Sequence, residues 1–167
     1  MTEIAYDRES AVRYARRWAL SRNPEYASFD KLGGDCTNFA SQCVFSGSGI
    51  MNYTPDVGWF YKSILNRSAP WSGVLYLYQF LTNNQGPGPY GRNMPLFMAK
   101  PGDIIQLNID GERFEHSTVV VSTGKQPAPD SIIVAAHSKD TDGKKLSEYE
   151  YAALRLIHIE GVRTQDN

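Results

Sequence analysis

The segment Gly34-Asp35-Cys36-Thr37-Asn38, running on into Phe39-Ala40-Ser41-Gln42-Cys43, puts a cysteine at the first position of a helix. Gly33-Gly34 breaks the chain, and Asp35 is a strong N-cap whose carboxylate can accept from first-turn N–H groups. Apolar or small residues recur at Cys36, Phe39, Ala40, Cys43 and Val44, the stripe of a half-buried helix that Gly47 and Gly49 end. Unpaired N–H groups and the helix dipole favour negative charge at a helix start, so the position predicts a lowered thiol pKa. Such a thiolate attacks a carbonyl carbon, provided a base takes its proton and a third group orients the base. The bland alternative is that Cys36 is a small core residue. Cys43, further along the same helix, reads as a buried core thiol.

The base is sought among three histidines. Residues 114–123 and 131–137 read as two strands joined through the Gly124–Asp130 loop, and a simple hairpin sets His116 against His137 at one end of the sheet. A one-residue slip moves the pair to opposite faces. In this reading Cys36 attacks as thiolate, with an imidazolium at His116 as its partner. His116 takes the thiol proton and later protonates the leaving amine. His137 holds the His116 ring, with Asp140 as the fallback, and the Cys36 N–H is one oxyanion donor. His158, on a late strand, reads as structural.

These residues need elements to carry them. Asp7 caps a first helix with Ala11, Tyr14, Ala15 and Trp18 on one face, closed by Asn23-Pro24, and Arg13, Arg16 and Arg17 read as a solvated face. The Cys36 helix follows. Residues 47–71 are rich in Gly, Pro, Asn and aromatics and read as irregular chain packed on the core. Ser72 is placed as cap of a short helix through Leu81, and 85–91 as a breaker-rich loop. Then the period changes: 103–109 alternates like a strand, Asp110-Gly111 signals a hairpin, and 114–123, 132–137 and 154–162 complete the strands. Helices first and an antiparallel sheet after is an α+β pattern.

With 167 residues, 41% hydrophobic, the chain suits a single domain over 1–167. A net charge of -1 without a basic stripe argues against nucleic-acid binding. No apolar run approaches the ~20 residues of a membrane span. Met1-Thr2-Glu3-Ile4-Ala5-Tyr6 lacks a basic n-region and an apolar h-region, so no signal peptide is read there. Cys36 and Cys43 lie roughly 10 Å apart along one helix, too far for a disulfide. The cysteines and histidines are too few for a structural zinc site, and no cofactor is expected. Asp140-Thr141-Asp142-Gly143 resembles a fragment of a calcium loop but lacks the other ligands, so a plain turn is expected.

Taken together, Tyr6 to Trp18, Asn23-Pro24 with Tyr26, Gly34 to Cys43, Pro101-Gly102-Asp103-Ile104-Ile105 and His116-Ser117 resemble the amidase domain family of Gram-positive bacteria. That family is related to the papain-like NlpC and CHAP cell-wall amidases and peptidases. The resemblance covers nearly the whole chain, and Gly34 to Phe39 is its most specific part. It implies a papain-like fold, Cys36 as nucleophile, His116 as base, and His137 at the third position of the triad. It also implies an exported or wall-associated enzyme whose substrate is peptide or peptidoglycan. The expected activity is hydrolysis of an amide through a thioester. Acyl or peptidyl transfer, a toxin-type protease, and a non-catalytic wall-binding module are the competing readings. Oligomeric state is left open.

Overall fold

The computed structural model describes residues 1–166. The chain runs β1 (Thr2–Ile4), α1 (Arg8–Trp18), α2 (Cys36–Ser48), β2 (Tyr61–Ser63), β3 (Asn66–Arg67), α3 (Ala69–Ser72), α4 (Val74–Asn83), β4 (Gly88–Met94), β5 (Ile104–Asn108), β6 (His116–Ser122), β7 (Ile133–Ala136), β8 (Thr141–Lys145) and β9 (Ala153–Thr164). The architecture is α+β, as expected. Its sheet is antiparallel, in the order β1-β9-β5-β6-β7-β8, with β4 on the other edge of β9; β2 and β3 form a separate hairpin.

α1 forms as its sequence requires. The Asp7 carboxylate accepts from the Ser10 N–H at 3.0 Å, and Ala11 and Ala15 are buried. α2 ends on Gly49 in the left-handed conformation (φ 68°), which glycine adopts without a Cβ clash. α2 differs from expectation in its burial: every residue from Cys36 to Val44 is buried, polar ones included. Over Cys36–Val44 it is an internal helix rather than a half-buried one, and only Ser46 is exposed. Thr37, Asn38 and Ser41 can sit inside because each finds a partner: Ser117 Oγ, Trp71 Nε1 and the Trp71 carbonyl respectively.

Both faces of the sheet are buried. One packs Ile104, Val119, Val121, Ala135 and Ile157 against α1, α2 and α4. Ile105, Leu107, Val120, Val134 and Leu156 make a second core on the other face, closed by Ala99, Leu146 and partly buried Tyr149. Trp59 and Trp71, fully buried, root the 47–71 segment on the first core.

Five strands were not expected; β2 and β3 form a short hairpin within the 47–71 segment read as irregular. β1 is too short to show a period. β4 contains Pro89 and Gly91 and was read as part of a loop. It survives because it is an edge strand, where a missing N–H costs no ladder bond, and because the register shifts between Tyr90 and Gly91. β8 covers Thr141–Lys145, where Gly143 and four polar residues conceal the strand. The short α4 begins after Gly73 rather than Ser72, which ends α3.

Candidate active site

Cys36 is the first residue of α2, and its thiol lies against the start of β6. Sγ is 3.7 Å from Thr37 Oγ1 and 4.0 Å from the Glu115 carbonyl, and the Ser117 N–H also faces it. The sulfur thus meets the backbone on both sides of His116. Thr37 Oγ1 lies 2.9 Å from Ser117 Oγ and pins the helix start to that strand.

Asp35 occupies the N-cap position, but its carboxylate does not cap α2. It turns away and accepts from the Phe29 N–H at 2.7 Å and from Asn38 Nδ2 at 2.9 Å. His137 Nδ1 sits 2.5 Å from its other oxygen. The first-turn N–H groups of α2 are thereby left without the Asp35 carboxylate as acceptor. Gly33 and Gly34 make the approach possible with φ of 98° and 111°.

The thiol pKa goes the opposite way from the sequence expectation. Burial, the largest effect, pushes the Cys36 thiol above its usual range, against smaller lowering contributions from the Ser117 N–H and Thr37. The helix start alone argued for a lowered pKa; 8% exposure overrides it. His116 is equally enclosed. Burial first, then the Lys144 charge, takes its imidazole down to about 4. Both shifts favour the neutral forms and run against the expected thiolate–imidazolium pair.

The hairpin register decides where the histidines go. β6 and β7 pair Val119 with Ala135 and Val120 with Val134, one residue out from the arrangement that sets His116 against His137. The two side chains therefore lie on opposite faces. His116 stands with the second core, its ring 5.9 Å from that of Tyr149. His137 stands with the helices, its ring stacked 3.9 Å from that of Phe39.

His137 consequently does not hold the His116 ring. Its Nδ1 faces Asp35 and its Nε2 lies 2.7 Å from the Trp18 carbonyl, so both nitrogens are engaged elsewhere. Asp140, the fallback, is likewise taken: both its oxygens accept from Arg22, at 2.8 and 2.9 Å. The His116 ring hydrogen-bonds to none of the described residues.

Arg22 was missed at the sequence level. It joins Asp30, Asp140 and Asp35 and lies 3.1 Å from His137 Nε2, building a charged network directly behind the start of α2. Its residues are scattered from 22 to 140, and no local pattern connects them. Pro101-Gly102-Asp103 also has a structural explanation. The buried Asp103 carboxylate accepts from Arg8 and the Lys100 and Ile159 N–H groups, and lies 2.8 Å from His158 Nδ1. His158 is structural, as read. Cys43 is fully buried in the first core. Among the described residues no group of three or more His, Cys, Asp or Glu is arranged to hold a metal ion. No helix among them is long and apolar enough to cross a membrane.

α2 thus sets the Cys36 sulfur against the backbone on either side of His116, at the start of β6. The chain belongs to the family described as "Putative amidase domain", whose model matches residues 5–159. That membership points to amide hydrolysis. A relative, "Uncharacterized protein YhbB" of Bacillus subtilis (strain 168), is 34% identical over 127 residues, which cover 74% of this chain and 40% of the relative. The chain therefore spans less than half the length of that protein. No solved structure matches the chain.

Proposed function

We propose that this protein is a cysteine amidase that cleaves peptide or amide bonds of bacterial cell-wall peptidoglycan. The observation that carries the reading is Cys36 at the first position of α2, its sulfur against the backbone that flanks His116 and its first-turn N–H groups free of the Asp35 carboxylate. The papain-like arrangement of a nucleophile helix on an antiparallel sheet is the corresponding fold proposal.

Chemically, the resting pair is neutral. As the substrate carbonyl seats against the first turn of α2, Cys36 Sγ attacks the carbon while His116 accepts the thiol proton. The Cys36–His116 hydrogen bond forms in the complex rather than in the free protein. The N–H of Cys36 stabilises the oxyanion. Collapse of the tetrahedral species expels the amine, which takes the proton from His116 and leaves a thioester on Cys36. Water, deprotonated by His116, then hydrolyses the thioester to the carboxylic acid and regenerates the thiol. His137 acts as a positioning residue, through Asp35 and the start of α2.

The test is cleavage of purified peptidoglycan, followed by mass spectrometry of the released fragments. Wild-type protein should release new amine and carboxylate ends, and Cys36→Ala should lose at least a thousandfold in rate. Full activity in Cys36→Ala would end the cysteine reading.

A further inference from the structure

Among the described residues, one buried side-chain nitrogen lacks a hydrogen-bond partner: Nη2 of Arg155. The rest of that side chain is closely held. Its guanidinium carbon lies 3.7 Å from the centre of the Tyr78 ring and 4.1 Å from that of Phe114, and Nε donates to Gln106 Oε1 at 2.8 Å. No carboxylate pairs with it among the described residues. Burial disfavours its charge without an anion to offset the cost.

Arg155 is also wired to the candidate site. It stands beside Gln106 on β5, which stands beside Ser117 on β6. Gln106 Nε2 lies 3.2 Å from Ser117 Oγ, which lies 2.9 Å from Thr37 Oγ1, next to the Cys36 sulfur. One row across three strands thus leads from the guanidinium to the thiol.

We infer that Arg155 anchors a carboxylate of the substrate, a few residues along the chain from the amide that meets Cys36; this rests on the cysteine amidase reading. The Tyr78 and Phe114 rings lie over the guanidinium and Nη2 meets no acceptor, which leaves its in-plane hydrogen-bonding capacity for a planar carboxylate. Two strand spacings of ~4.8 Å separate Arg155 from Ser117, about 10 Å in all. Extended peptide covers that span in roughly three residues. The inferred substrate class is a peptide amide with a free carboxylate at that remove.

The experiment uses soluble peptidoglycan stem peptides, native and with their carboxylates converted to carboxamides by carbodiimide and ammonia. Wild-type kcat/KM should be at least tenfold higher for the native set. In Arg155→Met that ratio should fall to near one, mainly through KM for the native set, and Arg155→Lys should restore part of it. A wild-type ratio below twofold, or an unchanged ratio in Arg155→Met, would overturn the inference. If Arg155→Met does not fold, the wild-type ratio decides alone. Calorimetric binding of both peptide sets to Cys36→Ala reads the carboxylate preference without turnover. Persistent cleavage by Cys36→Ala would remove the cysteine reading while leaving that preference measurable.

Discussion

His116 shows how enclosure sets the protonation of a site residue. An ordinary imidazole titrates near 6.5, and here burial and Lys144 bring it to about 4. As a base it must be neutral, so the acid limb of kcat/KM should extend below the usual histidine range, measured on peptidoglycan fragments from pH 3 to 8. Stability has the same sign. The unfolded chain takes up the proton between about pH 6.5 and about 4 while the folded chain does not. Stability is therefore fully present above the unfolded pKa and is lost as pH falls through that window, by about 3 kcal/mol. Urea melts of wild type and His116→Gln at pH 7 and pH 4 check this, and the variant should lose that component. At Cys36 the raised thiol pKa predicts slow alkylation at neutral pH that accelerates only in alkali. This contrasts with the helix-start argument, which weighs local dipoles and takes no account of what later strands bring against the sulfur.

At the scale of elements, the start of α2 depends on contacts from three directions. Asp35 is fully buried, and α1, the 22–30 segment and the end of β7 each contribute a group to the network around it: the Trp18 carbonyl, Arg22 with Asp30, and His137. Ser138 and Lys139, just after His137, hold φ of 64° and 67°, an uncommon conformation for residues with a Cβ. Ser138 Oγ accepts from the Asp35 N–H at 3.1 Å, so the turn serves the same junction. His137→Ala should lower unfolding free energy by about 3 kcal/mol, because a buried carboxylate loses its partner and Phe39 loses a stacked ring. Chemical denaturation measures it. Were His137 needed only to orient His116, stability would hardly change. The elements themselves were legible in advance where local chemistry writes them: the Asp7 cap, Gly49, Asp110-Gly111, the alternation of β5 and the β-rich composition of β6. β4 and β8 were not, since edge strands with Gly and Pro are defined by their partners.

For the molecule as a whole, the crossing of α1 and its approach segment over α2 is set by one missing side chain. A Cβ on Gly47 would run into the Tyr6 ring and come within 2.7 Å of the Asp7 carbonyl. Tyr6 cannot easily yield, because its hydroxyl donates to the Gly102 carbonyl at 2.9 Å and so ties the N-terminal segment to the loop before β5. Gly47→Ala improves helix propensity by up to about 1 kcal/mol, yet overpacking should outweigh it and cost about 2 kcal/mol net. A lowered Tm in calorimetry is the expected outcome. The sequence by itself determined the α+β class, the capped first helix and Cys36 at a helix start, because each rests on interactions within a few residues. Tertiary structure alone decided that α2 is internal, that the thiol is pushed up in pKa, that His137 serves Asp35 and not His116, and that Arg22 and Arg155 stand near the site. The physical reason is the period of a strand. With two residues per repeat, a register one residue out moves a histidine to the other face, and only the packed partners of both faces select that register.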